Sequence, residues 1–140
     1  MNEHVIDANG LILGRLASHV AKRALLGETI AVVNIDKAII TGTRKVVFGR
    51  YEIFRAKGTP TQGPFIPRRA RELFKRSLKH MLPFKRPRGR DALARVKAYK
   101  GLPARYATME LETLPSAHVS KVPTTKYVTL QEVTHFLGGK

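Results

Sequence analysis

Apolar residues in the first forty positions change period twice. Val5, Ile6 and Ala8 make a short apolar run ended by Asn9-Gly10, after which Leu13, Leu16, Ala17, Val20, Ala21, Ala24 and Leu25 recur at intervals of three and four. The first pattern predicts a buried strand and the second an amphipathic helix closed by Gly27. Residues 30–33 and 38–40 are continuous apolar runs on either side of a polar turn at 34–37. Runs this short suit strands buried on both faces. Thr41-Gly42-Thr43 then opens a second helical pattern with Val47, Tyr51 and Phe54 on one side, which fades into Lys57-Gly58-Thr59-Pro60 and a Gly/Pro loop reaching Pro67. Strand and helix alternating in this way predict an α/β domain with a mainly parallel sheet.

Beyond Pro67, Ala70, Leu73, Phe74, Ser77, Leu78 and Met81 share one side of a third helix. Arg68, Arg71, Lys75, Arg76 and Lys79 fall largely on the other. Pro67 suits its first turn, and Pro83 forbids comfortable continuation past Leu82. Residues 83–87 read as a stiff basic connector and 91–95 as one or two helical turns. Residues 96–99 either finish that helix or form a strand. From 104 to 126 apolar residues are sparse and Pro115 and Pro123 interrupt them, which predicts an extended arm lying on something else rather than a core element. Thr129 with Glu132 is a capping-box signature for a last short helix using Leu130, Val133, Phe136 and Leu137, which must dock to persist. The expected organisation is one α/β domain over 1–103, with its basic segment at 68–103, and an arm over 104–140.

Charge changes this picture most. The chain has 140 residues, 26 Lys and Arg against 10 acids, and a net charge of +16. Fourteen of those cations, with only Glu72 and Asp91 opposing them, lie between residues 68 and 105, a net +12. So much like charge in a compact domain repels itself unless a partner's phosphates neutralise it, so the expected partner is nucleic acid. The absence of cysteine excludes disulfides, thiolate nucleophiles and Cys-type zinc sites, and nothing points to secretion. Met1-Asn2-Glu3-His4 does not resemble a signal peptide and no apolar run approaches a membrane span; a soluble, cytoplasmic protein is expected. A basic face meeting anionic lipid would call for a broad apolar helix face with Trp, which this chain lacks.

Candidate chemistry is sparse outside the cations. Asn9-Gly10 and Thr41-Gly42-Thr43 would sit at strand ends and helix N-termini, where free N–H groups attract anions, with Arg15, Arg44 and Lys45 reinforcing that edge. The plainer reading is that the glycines permit tight turns. Gly10 and Gly14 match neither a dinucleotide fingerprint nor a phosphate loop, so no small-molecule substrate or cofactor is expected. Asp7 and Asp36 form the one carboxylate pair that suits an alternative, an RNA-processing or nucleotide-using enzyme, although Asp in turns usually caps backbone donors. The five histidines, His4, His19, His80, His118 and His135, have no metal-ligand spacing, and no serine has a nucleophile-elbow context. The connector is different. Lys85, Arg86, Arg88 and Arg90 stand among prolines and Gly89 without an adjacent acid, and Phe84 either stacks on an unpaired base or packs on its own domain.

Leu78-Lys79-His80-Met81-Leu82-Pro83, Gly89-Arg90 and Val96-Lys97-Ala98-Tyr99-Lys100-Gly101 resemble the signature of the L-thirteen family of large-subunit ribosomal proteins. Asp7-Ala8 with Gly10, Leu13-Gly14-Arg15-Leu16-Ala17-Ser18, Val33-Asn34 and Thr41-Gly42 are similar to that family as well, so the likeness spans residues 5–103. His80 departs from the usual Gly or Lys. The start at the first strand, Gly63-Pro64 and the basic run 68–71 resemble the archaeal and eukaryotic branch, and the short C-terminal region fits an archaeal member. The resemblance implies a three-layer α/β/α fold around a four-stranded parallel sheet, with no enzymatic activity. It also implies a ribosomal location, neighbouring large-subunit proteins, binding to large-subunit (23S-type) ribosomal RNA and a part in subunit assembly. The expected RNA contacts are Arg15, Arg44 and Lys45; Arg68, Arg69, Arg71, Lys75, Arg76 and Lys79; the four connector cations; and Lys97 and Lys100.

Overall fold

A computed structural model describes residues 3–123 and 125–139. Strand β1 (Glu3–Asp7) leads into helix α1 (Leu13–Leu25), whose Leu13, Leu16, Ala17, Val20, Ala21 and Ala24 are buried as the spacing requires. Gly27, at φ +100°, turns the chain into β2 (Thr29–Val33), buried from Ile30 to Val33 because it is the central strand of a parallel sheet. β1 pairs with it from Glu3 opposite Thr29 to Asp7 opposite Val33. On its other side lies β4 (Val96–Ala98), paired from Ile30 opposite Val96 to Val32 opposite Ala98. Residues 96–98 thus complete the sheet.

Between β2 and β4 come β3 (Ile39–Thr41), α2 (Arg44–Ala56), α3 (Ala70–Met81) and α4 (Pro87–Ala94). β3 does not join the parallel sheet; it makes one isolated parallel bridge to Ile12 and pairs antiparallel with β5 (Tyr127–Thr129) near the C-terminus. The parallel sheet therefore has three strands where the resemblance implies four. A single arm residue, Glu112, adds to its outer edge, donating its N–H to the Val5 carbonyl at 2.8 Å and accepting from Asp7 N–H at 2.9 Å. Thr129 caps α5 (Leu130–Leu137) through the capping box that the sequence predicts.

The two faces of the sheet are covered differently. Ile6, Ile30, Val32 and Val96 face the main core, with buried residues of α1, α3, α4 and α5. Val5, Ala31 and Val33 point the other way, where fully buried Tyr106, with Tyr99 and Leu111 beside it, covers them. The segment after residue 104 was expected to lie on something else rather than act as a core element, yet Tyr106 seals one face of the sheet while Leu114 and Ala117 enter the main core. Few apolar residues suffice when each is an anchor. The sheet hydrogen bonds through Glu112 satisfy backbone groups that a free edge would leave open.

Two helix boundaries also differ from expectation. α3 begins at Ala70, leaving Pro67 in the preceding loop, and α4 begins at Pro87 rather than Asp91, with proline at its first position. That placement uses a residue with no N–H where none is needed.

Candidate nucleic-acid interface

α3 displays its charge because burial of Ala70, Leu73, Phe74 and Leu78 orients the helix, leaving Arg71 and Lys79 exposed and Lys75 and Arg76 half-buried. β4 alternates, with Val96 and Ala98 inward and Lys97 outward. These two elements bring Arg71, Lys75 and Lys97 around an open cleft of about 530 Å³ that Glu72, Ala98 and Tyr99 complete. A contiguous cleft of about 330 Å³ adds Arg69 and Lys100. Burial, with Arg71 and Lys97 nearby, holds the Lys75 ammonium below its ordinary pKa. Like charges gathered around a half-buried lysine are unfavourable in the isolated protein and favourable once an anion lies between them.

The stiff basic connector expected over residues 83–87 is a turn that runs directly into α4. Arg86 N–H donates to the Pro83 carbonyl at 2.9 Å, closing a turn, and Arg86 then stands at the N-cap of α4 with Arg88 and Arg90 in the turn that follows. Gly89 is required by a close approach: a Cβ there would lie 2.1 Å from the Pro83 carbonyl oxygen. Lys85, Arg86, Arg88 and Arg90 are all exposed, and Arg90 reaches back to the Lys85 carbonyl at 3.0 Å. Cations near a helix N-terminus oppose the helix dipole, so their presence there has no folding rationale. Phe84 is half-buried, with the Lys79 ammonium 4.6 Å from its ring centre.

Among the described residues, Arg105 is the only one of the fourteen cations of this segment to pair with an acid, Glu3 at 3.3 Å. Arg95 is likewise structural, donating to the Ala24 carbonyl at the C-terminal end of α1 at 2.9 Å. Two acids are engaged away from the basic face: Glu112 accepts from Arg23 at 2.8 Å and lies 3.0 Å from His4 Nδ1, and Glu28 also pairs with Arg23. Hydrogen bonding from Arg23 draws the Glu112 carboxyl below its ordinary pKa.

Three further candidates lie apart. Arg15 reaches the Ser116 carbonyl at 3.4 Å, and Arg44 pairs with Glu132 at 3.0 Å while Lys45 beside it is exposed. The turns they flank are partly filled by the protein itself. Residues 117–119 cover Asn9-Gly10, with Ile12 N–H donating to the Ala117 carbonyl and Val119 N–H to the Gly10 carbonyl. The Thr43 hydroxyl accepts from Val46 N–H and caps α2. Asp7 accepts from Asn9 N–H and the Asn34 side-chain amide, and Asp36 accepts from Gly101 N–H at 3.2 Å. Both carboxylates are thereby explained as caps. The sequence reading passed over Phe65, Arg55 and Lys57, which line neighbouring clefts; an aromatic inside a Gly/Pro loop beside a basic helix was the available signal for Phe65.

A small α/β body with an ordered face of cations, most of which have no acidic partner among the described residues, has the surface chemistry of proteins matched to a polyanion. Residues 1–105 match the family "Ribosomal protein L13". Relatives named large ribosomal subunit protein uL13 are similar across nearly the whole chain: that of Methanococcoides burtonii is 45% identical over 97% of this chain and 98% of its own length. The protein of Archaeoglobus fulgidus is 48% identical over 96% and 86%, and that of Halobacterium salinarum 42% identical over 96% and 90%. The chain belongs to the ribosomal protein L13 family and is of the archaeal type. The likeness runs on past residue 103, where the signature motifs end, as a segment built into the core would lead one to expect.

Proposed function

We propose that this protein is a structural, non-enzymatic constituent of the large ribosomal subunit, in the cytoplasm, where it binds large-subunit ribosomal RNA, lies beside other large-subunit proteins and supports subunit assembly. The observation that carries this reading is the set of cations on α3, β4 and the start of α4 that have no acidic partner among the described residues. Arg69, Arg71, Lys75, Lys97 and Lys100 form one phosphate grip around the clefts beside β4. Arg68, Arg76 and Lys79 extend it along α3, and Lys85, Arg86, Arg88 and Arg90 form a second. Arg15, Arg44 and Lys45 are outlying contacts, two of which also hold the arm and α5. Recognition is by RNA shape, because long cations contact phosphates irrespective of sequence. On this reading residues 1–103 are the RNA-binding body, and the arm at 104–140 braces it. Glu112 stands in for the fourth strand, and the cover built on Tyr106 for the third layer. The test is sedimentation of native extract through a sucrose gradient together with a salt titration of binding to protein-free large-subunit RNA. The chain should run with the large subunit, and log affinity should fall steeply with log salt. Sedimentation away from ribosomes, or a flat salt dependence, would overturn the proposal.

A further inference from the structure

Phe65 is the most exposed aromatic side chain among the described residues, at 72%. The other partly exposed rings of the basic half have partners: Phe54 lies under Lys57 and Arg76, and Phe84 under Lys79. Among the described residues no ring stacks on Phe65 and no cation sits over it. It is nevertheless placed rather than dangling. Gly63, at φ +76°, runs so close beneath it that a Cβ at Gly63 would come within 2.9 Å of the ring. Phe65 also borders two cationic clefts. One, of about 380 Å³, carries Arg55, Lys57 and Arg68; the other, of about 340 Å³, carries Lys75, Arg76 and Lys79, with Glu72 as its carboxylate. An apolar protein surface would leave those cations buried without partners. A nucleotide satisfies both features at once, offering a flat base to the ring and phosphates to the cations on either side.

We propose that Phe65 is a stacking platform for an unpaired base of the bound RNA, with the adjoining phosphates seated in the two flanking clefts. The inference rests on the reading of this protein as an RNA binder and adds the kind of RNA it takes at this place. Bases inside an A-form helix keep their faces stacked on one another, so the site selects a loop, bulge or strand end.

The chain contains no tryptophan, so Phe65→Trp introduces a single, selectively excitable tryptophan at the site. With protein-free large-subunit RNA as probe, Phe65→Trp should bind as tightly as the parent protein, and its emission should be quenched on binding. Phe65→Ala and Phe65→Leu should each lose roughly ten- to a hundredfold in affinity at fixed salt. The log-log salt slope should stay unchanged, because no phosphate contact is removed. Circular dichroism of the Ala and Leu variants should match the parent, since the ring lies outside the core. Unquenched emission, or Ala binding within twofold of the parent, overturns the inference while leaving RNA binding intact. Parent-like binding by Leu overturns it in favour of plain apolar cover. Failure of the parent protein to bind this RNA overturns the functional reading together with the inference.

Discussion

Lys85, Arg86, Arg88 and Arg90 crowd the start of α4, and replacing all four with Gln separates a positioned grip from bulk charge. If each contacts one phosphate, their loss should flatten the log-log salt slope by about 3 and weaken binding at 0.1 M salt by roughly a thousandfold. Folding should hardly notice. Removing positive charge from Arg88 and Arg90 relieves an unfavourable helix-dipole interaction of about 0.3–1 kcal/mol each, against the loss of one exposed Arg90 hydrogen bond of about 1 kcal/mol. The melting temperature should therefore move by no more than a few degrees. A control with Lys22, Lys37, Arg50 and Lys121 changed to Gln removes equal charge from exposed positions that have no ion pair among the described residues; Arg23 is unsuited because it holds Glu28 and Glu112. Filter binding to protein-free large-subunit RNA across a salt series, with thermal melts of both variants, measures each quantity. Equal affinity losses in the two variants would refute a positioned grip. Unfolding of the first would show these residues to be structural.

Gly89→Ala should destabilise by about 1–3 kcal/mol and weaken RNA binding, since its Cβ meets backbone at Pro83, whereas Gly14→Ala, with nothing within 4 Å, should stabilise α1 by about 0.5–1 kcal/mol; urea midpoints compare them. The Glu112 carboxyl is held below its ordinary value of 4.5, so its contribution is fully present above that pH and is lost as pH falls through the folded-state value; Glu112→Gln should remove this acid-sensitive part of a melting-temperature profile. Lys75→Met should raise the melting temperature, by removing a half-buried charge that Arg71 and Lys97 repel, while lowering RNA affinity roughly five- to tenfold at 0.1 M salt; a fall in both would mean that Lys75 serves folding.

Local spacing sufficed for α1, for the buried run of β2 and for the capped α5, because each pattern is read over consecutive residues and the core takes the predicted face. The basic face was legible for the same reason: on α3 the apolar stripe that anchors the helix leaves the cations no other side. Where partners are distant in the chain, the same residues were ambiguous. β3 reads as a strand, but its antiparallel pairing with β5 joins Ile39 to Thr129, across a separation that no local window contains. Composition marked residues 104–126 as peripheral, yet Tyr106 closes a sheet face and Glu112 an edge, because burial depends on where a side chain lands and not on how many apolar neighbours it has in sequence. The start of α4 at Pro87 was missed because the prolines marked residues 83–87 as a stiff connector outside the helix, and the turn from Pro83 to Arg86 has Gly89 packed against it. Sequence alone determined that this protein displays its positive charge on ordered structure. Tertiary structure alone decided which cations stand together, since Arg71 and Lys97 become neighbours only when α3 and β4 pack on the same core, and which remain free, since Arg95 and Arg105 are held by groups 71 and 102 residues away.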